Sequence, residues 1–368
     1  MPTASVVTAS VLDPVPPAVR RLSVAALVVA FLHIVFGAIV RITGSGMGCL
    51  TSWPRCADPA TGVVAWFPPF DQPTLVIEWM HRLFAAVLIS LVGALVVTAF
   101  ARRGAAGVGG RGGVLRAAGL ALGISFVAAA FGAVTVKEAN TPWATATHKL
   151  IAVSLLAALA AAAMRAGALG ARRAAAARSG DARYGDARYG RGTMKAVRGA
   201  AVAAGLALTA VLLGSLTAKV AGAVSACQGF PFCGTAASGV VQAGGGVAHI
   251  QLAHRITAYL LALHLVGLPF AFARRREATA VVAASRVAVG LVALQVLLGA
   301  LMVTGHYVTA LRSLHQANGV ALWLAAFTMT YLARIAAGRT VPAWADDAEL
   351  VRRSRQGTAG GAVAARAA

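Results

Sequence analysis

Carboxylates are scarce in this sequence. Of 368 residues, 11 are Asp or Glu, only four of them Glu, and charged residues of both signs reach 12%. That is about half the share of an ordinary soluble domain. So few charges cannot cover the surface of a water-soluble enzyme of this size. The 59% apolar content equally excludes an intrinsically disordered chain. Cysteine is confined to four residues in two short stretches, and no His, Cys and carboxylate set has the spacing of a zinc site. No small-residue cleavage site of the usual kind follows the first apolar segment. That segment is also too long for a signal-peptide core, so it is read as a retained span.

What the chain does contain is long apolar runs. Eight are long enough to cross a bilayer at roughly 20 residues each. They lie near 22–41, 77–100, 115–136, 143–164, 198–219, 248–272, 283–304 and 311–335. Open sheet edges cannot face lipid, so the spans are helices. The expected fold is an all-α integral membrane protein of eight transmembrane helices, arranged as two pseudo-symmetric four-helix bundles. All but eight of the 33 Lys and Arg fall in the N-terminal tail, the 101–116, 165–198 and 273–286 loops and the C-terminal tail. The positive-inside rule then makes both termini cytoplasmic. The +22 net charge is a topology signal and an attraction to anionic lipid, not a nucleic-acid footprint. The expected division is an N-terminal tail 1–21, a first half 22–164, a basic linker 165–197, a second half 198–336 and a disordered tail 337–368. A tandem Gly-Asp-Ala-Arg-Tyr unit at 180–189 reads as part of a flexible linker.

The two halves repeat one another. Ile77 to Arg82 (IEWMHR) opens the second helix and Ile250 to Arg255 (IQLAHR) opens the sixth. Arg41 lies eight residues before Cys49, and Lys219 eight before Cys227. The odd-numbered helices all exit through a small pair: Gly37-Ala38, Gly132-Ala133, Gly214-Ser215 and Gly299-Ala300. Small residues there let helices pack closely.

Four histidines follow the repeat. His81, His148, His254 and His315 each sit in the first turns of an even-numbered helix, which enters from the outer face. Each half thus supplies two imidazoles at one depth from two helices. That arrangement suits bis-histidine ligation of a haem inside a bundle. Ionisable residues within spans are rare, and four at matched places are not incidental. Arg82, Lys149, Arg255 and Arg312 lie within three residues of these histidines, and Arg41 and Lys219 end odd helices on the same side. Such cations could pair with haem propionates at the interface. His33 and His264 read as hydrogen-bonded packing residues, and His249 and His306 as outer-surface residues.

Glu78 lies three residues before His81 on the same helix face, whereas its counterpart is Gln251. An acid can move protons or stabilise developing positive charge; an amide cannot titrate. The asymmetry suggests a catalytic first half and a cofactor-holding second half. Cys49 with Cys56, and Cys227 with Cys233, lie in outer loops on the oxidising side and read as two local disulfides, Cys49–Cys56 and Cys227–Cys233. They are taken as staples, although spacing does not separate a staple from a redox pair.

These residues resemble the haem A synthase family in its bacterial form, with cysteine pairs in two extracytoplasmic loops. The carrying motifs are Gly37 to Gly48 (GAIVRITGSGMG), Cys49 to Cys56 (CLTSWPRC), Ile77 to Arg82, Thr147-His148-Lys149, Cys227 to Cys233, Ala253-His254-Arg255 and Leu314-His315-Gln316. Together they cover residues 20 to 336. The resemblance implies oxidation of the C8 methyl of haem O to a formyl group by successive hydroxylations, yielding haem A for cytochrome oxidase. It implies that His81 and His148 flank the iron of the substrate haem O. It implies that His254 and His315 ligate the iron of a haem b cofactor, and that Glu78 is the essential acid. Arg41, Arg82, Lys219 and Arg255 become the propionate candidates. Expected partners are haem O synthase, the cytochrome oxidase assembly machinery, an unnamed electron acceptor, membrane lipid and a further copy of the chain; nucleic acid is not among them. The expected location is the bacterial cell membrane. The main rival is a non-catalytic diheme b-type electron-transfer cytochrome. A disulfide-generating oxidoreductase would need no histidine quartet, and a transporter would want a broken helix with a midplane site.

Overall fold

The computed structural model describes residues 15–49, 55–57, 61–62, 64–179, 192–224, 226–227, 229–231 and 245–345. Cys233, the tandem repeat at 180–189 and the chain termini beyond these limits lie outside the described residues. In chain order the helices are α1 (Pro17–Ile42), α2 (Pro73–Ala101), α3 (Val114–Lys137), α4 (Pro142–Arg165), a short α5 (Ala171–Ser179), α6 (Met194–Thr217), α7 (Gly245–Arg274), α8 (Thr279–Thr304) and α9 (Thr309–Ala336). All but α5 are long and apolar enough to span a bilayer. The protein is a multi-pass membrane protein. Among the described residues the only strands are a two-residue ladder, Cys56–Ala57 against Val64–Ala65.

Local chemistry sets the helix ends. Proline occupies the first turn of α1, α2 and α4, where its missing N–H is not needed. Basic residues fill the last turn of α1, α3, α4, α7 and α9, complementing the helix dipole. Large apolar side chains point outward: Leu263 is 76% exposed and Val97 and Phe270 are each 69% exposed. A water-soluble surface would not tolerate such a belt, whereas lipid does.

In the first half α1 packs on α2 and α4, and α3 packs on α2 and α4; in the second α6 packs on α7 and α9, and α8 packs on α7 and α9. The halves meet through α1 and α4 on one side and α6 and α9 on the other. Alanine dominates the buried face of α4, including Ala158, Ala160, Ala162 and Ala163, so backbones approach closely.

The tight turns between α3 and α4 and between α8 and α9 match. Each contains two consecutive left-handed residues, Ala139-Asn140 and His306-Tyr307. Asn140 Nδ2 donates to the Gly46 carbonyl at 3.1 Å, and Tyr307 Oη donates to the Val224 carbonyl at 3.0 Å. The left-handed region is unfavourable for a bulky residue such as Tyr307, and this long-range bond helps hold it there. Both turns lie at the end of the bundle that carries the cysteines.

At the opposite end two features differ from the sequence expectation. The basic linker contains α5, which packs on α8 and α9. Residues 337–345, which follow α9, are docked rather than free: Trp344 Nε1 donates to the Arg165 carbonyl at 2.9 Å, and Ala343 N to the Gly112 carbonyl. Arg165 in turn reaches Tyr331 Oη and the Gly113 carbonyl, joining α4 to α9. Glu277, fully buried in the α7–α8 turn, accepts from the Thr193 backbone N–H at 2.9 Å and from its hydroxyl, fixing the start of α6.

Candidate functional site

At the cysteine-bearing end each half builds a site from two helix pairs, α1 with α2 and α3 with α4 in the first, α6 with α7 and α8 with α9 in the second, and each pair contributes a glycine on its first member and a histidine on its second. A β-carbon placed at Gly37 would lie 3.0 Å from Cε1 of His81, and one at Gly214 would lie 2.9 Å from Cε1 of His254. At Gly299 the distance to His315 is 3.4 Å, and at Gly132 to His148 it is 3.7 Å. The exit glycines seen in the sequence are therefore notches for the four imidazoles. The same ring edge faces the glycine in all four pairs.

In the second half His254 and His315 line one cavity of about 200 Å³, with a mostly apolar wall. His254 Nδ1 donates to the Ala210 carbonyl at 2.9 Å. A carbonyl only accepts, so the proton sits on Nδ1 and the lone pair on Nε2. His315 Nε2 accepts from the Gln295 amide at 3.1 Å, and the same amide group donates to the His315 carbonyl. Asn318 Nδ2 donates to Gln295 Oε1 at 2.7 Å and to the Leu291 carbonyl, which fixes the amide's orientation. His315 Nδ1 is buried and has no partner. His254 keeps its Nε2 lone pair, and His315 would exchange the Gln295 N–H at Nε2 for the metal; with that exchange the two imidazoles are a fitting donor set for an iron porphyrin.

The cavity crosses the boundary between halves. Arg41 of α1 and Lys149 of α4 line it together with Arg255 and Arg312. Lys219, just past α6, lies within the field of Arg41; desolvation first, and that charge second, hold its ammonium below the ordinary lysine range. Among the described residues none of Arg41, Lys149, Lys219 and Arg312 is in an ion pair. This convergence of cations suits the carboxylates of a bound porphyrin.

In the first half His81 and His148 are brought near one another, with His33 as a third neighbour. The His33 and His81 rings stack with centroids 4.3 Å apart and planes 9° from parallel. Phe36 and Phe84 continue the aromatic wall. The Nδ1 atoms of His33, His81 and His148 are buried without partners. His33 is thus not the hydrogen-bonded packing residue expected from the sequence; it belongs to the site. His264 is such a residue, bonding the Gly199 carbonyl through Nε2 at 2.8 Å, and His249 and His306 are exposed.

Glu78 is buried at 3% exposure. One carboxylate oxygen accepts the Cys49 N–H at 2.9 Å, and the other pairs with Arg82 at 2.6 Å. Arg82 also donates to the Arg55 carbonyl, so acid and base together hold the disulfide loop onto α2. Arg255 does the same in the second half, donating to the Gly229 and Cys227 carbonyls. Gln251 lines the cavity, and its buried Oε1 has no partner. Cys49 and Cys56 form a disulfide. Cys227 is disulfide-bonded as well; Cys233 lies outside the described residues.

Sequence reasoning missed Gln295, Asn318 and the Ala210 carbonyl. Gln295 lies four residues before Gly299, as His33 does before Gly37, and Asn318 lies three after His315. Those offsets put each on the face of its glycine or histidine and were available as signals.

Comparison with known proteins now adds to this geometry. The family model described as cytochrome oxidase assembly protein matches residues 69–327, a stretch that holds all four histidines and Glu78. The chain belongs to the cytochrome oxidase assembly protein family. Curated relatives in it carry the name heme A synthase. That of Bacillus pumilus is 40% identical over 80 residues, 22% of this chain and 24% of the relative. That of Geobacillus kaustophilus is 45% identical over 51 residues, 14% of each. That of Shouchella clausii is 40% identical over 73 residues, 20% of this chain and 22% of the relative. The aligned stretches thus span about a quarter or less of these relatives' length.

Proposed function

We propose that this protein is a haem A synthase, oxidising the C8 methyl of haem O to a formyl group. Two successive hydroxylations give a geminal diol, which loses water to the aldehyde. The observation that carries the reading is the quartet of glycine-notched histidines, two per half, within a chain of this family. His81 and His148 would flank the substrate haem O, and His254 and His315 would hold a haem b cofactor. When bound, haem b supplies one-electron redox chemistry.

The chain's own residues provide the rest. The Ala210 carbonyl and the Gln295–Asn318 pair orient the second-half imidazoles. The apolar cavity wall excludes water and strengthens charge interactions inside it. Arg41, Lys149, Arg255 and Arg312 supply positive charge for propionates, with Lys219 adding to it. In the first half Glu78 is the acid beside His81, poised to hold a proton or stabilise positive character at the methyl. Its pairing with Arg82 and the Cys49 amide fixes its position. The proposal places both termini in the cytoplasm and the cysteine-bearing end outside. Haem O synthase, the oxidase assembly machinery and an electron acceptor are the partners it calls for.

The test is co-expression with a haem O synthase, followed by haem extraction and chromatography. Haem A that forms with the intact chain and not with His81→Ala supports the reading. Protein carrying haem b beside unconverted haem O would instead support the electron-transfer cytochrome.

A further inference from the structure

The notches at Gly37 and Gly214 are alike, but the helix seams beside them are lined differently. Phe36, next to Gly37 on α1, has its ring 6.3 Å from that of His81. Phe84, one turn past His81 on α2, meets Phe36 edge-on with ring centroids 5.2 Å apart. The positions that repeat these two in the second half, before Gly214 and three after His254, hold Leu213 and Thr257. Phe84 is 37% exposed, Leu32 one turn before Phe36 on α1 is 57% exposed, and Val87 one turn past Phe84 on α2 is 49% exposed. In a membrane-spanning chain such apolar surface faces lipid. An aromatic pair thus leads from the His81 imidazole to the lipid-facing side, and an apolar strip continues it along both helices.

Chain direction gives this seam a polarity. The α1 helix runs toward the cysteine-bearing end and α2 runs away from it, so residues before Gly37 and after His81 lie on the bilayer-centre side of the site. Arg41, four residues past Gly37, and the Cys49–Cys56 loop lie on the other side. Haem O has a matching polarity. Its propionates and its hydroxyethylfarnesyl tail stand at opposite edges of the ring. Carboxylates turned toward the cation-bearing end therefore leave the tail pointing down the seam. Two turns of helix past Phe84 provide about 10 Å of strip. Beyond it the tail needs no enclosed cavity, because lipid chains are as apolar as leucine. Haem b carries a vinyl group in place of the tail and gains nothing from such a seam.

We propose that the α1–α2 seam receives the isoprenoid tail of the substrate haem and passes it to the lipid, with Phe36 and Phe84 as the residues that select haem O over haem b. The two phenyl rings hold the first carbons of the tail beside His81, and Leu32 and Val87 carry it outward. Leu213 and Thr257 give the second half no such aromatic pair, in keeping with a cofactor that has no tail. This inference rests on the proposed reading of the first half as the haem O site.

The experiment titrates the purified full chain in detergent with haem O and, separately, with haem b, and follows absorbance. A His254→Ala background confines the titration to the first half. That parent should bind haem O more tightly than haem b by on the order of tenfold. Phe36→Leu combined with Phe84→Thr copies the second-half seam. It should cost on the order of tenfold in haem O affinity and leave haem b affinity unchanged. If the pair does not fold, Phe84→Ala alone, at an exposed position, should shift the same ratio in the same direction. Leu32→Trp places bulk on the strip and should weaken haem O but not haem b. Equal affinity for the two haems in the parent, or an unmoved haem O affinity in the seam variants, would overturn the inference. So would a matched fall for both haems, because Phe36 and Phe84 would then act on His81 rather than on the tail. Each of these leaves the functional reading standing. A His254→Ala chain that takes up neither haem would overturn that reading, and this inference with it.

Discussion

Replacing Gly214 by alanine should expel the second-half haem by a route the distances allow us to work through. The added β-carbon would sit 2.9 Å from His254 Cε1 and 3.4 Å from its Nδ1. Carbon atoms rest at about 3.5 to 4.0 Å, so the ring must withdraw from α6 by roughly 0.6 to 1 Å. Its hydrogen bond to the Ala210 carbonyl, now 2.9 Å, belongs to the same helix one turn away. The same withdrawal stretches that bond to about 3.5 Å or more, past the useful limit. Overpacking costs about 1–3 kcal/mol, and a buried donor left unpaired about 1–3 kcal/mol. Even the lower end of one of these corresponds to about a fivefold loss in haem affinity, and the two together exceed tenfold. The assay is haem b per protein and the low-spin absorption spectrum of the purified variant. The series is internally controlled, because the clearance widens from Gly37 (3.0 Å) through Gly299 (3.4 Å) to Gly132 (3.7 Å). Gly132→Ala reaches only ordinary contact and should be tolerated. If Gly214→Ala kept its haem b and spectrum while Gly132→Ala lost haem, the notch argument would be refuted.

Further outcomes follow from the other contacts. Glu78→Gln copies the second half; it should leave haem b bound and stop haem A formation, measured by haem chromatography beside the absorption spectrum, and full activity would remove Glu78 from the chemistry. Arg41→Gln combined with Lys149→Gln deletes the first half's contribution to the second-half cavity. Haem b content after purification should fall about tenfold, since charge-assisted bonds contribute roughly 1.5–3 kcal/mol; unchanged content would mean that the carboxylates point elsewhere. Glu277→Ala frees the start of α6 at the end of the bundle opposite the four histidines. It should lower the thermal midpoint in detergent, by roughly 1–3 kcal/mol of stability, without altering the haem spectrum; an unshifted midpoint would show that the Thr193–Glu277 link is dispensable.

The eight spans were legible because lipid demands long apolar runs, and the histidine quartet because IEWMHR at 77–82 is echoed by IQLAHR at 250–255. The exit glycines were legible as small residues, but not as notches: that role depends on which side chain fills the space across the helix pair. The Ala210 carbonyl left no mark, since a backbone acceptor has no residue signature. His33 looked like a lone packing histidine because its partner, His81, lies 48 positions away on another helix. Arg41 and Lys149 stand out in the sequence as cations near the outer face; only the meeting of α1 and α4 with α6 and α9 carries them into the second half's cavity. The docked Trp344 was hidden in a tail whose composition reads as loose. Arg82 and Arg255 read as propionate partners in the sequence; their hydrogen bonds also clamp the two cysteine loops.

The division of labour between the halves is tested most directly by asking which haem each half holds. The protein should be purified after co-expression with a haem O synthase, as the full chain, as His81→Ala and as His254→Ala, and its extracted haems separated by chromatography. The account predicts haem b together with haem O or haem A in the full chain. His81→Ala should retain haem b alone, and His254→Ala should lose haem b while still taking up haem O. The same haem lost from both variants, or haem b retained without His254, would contradict it.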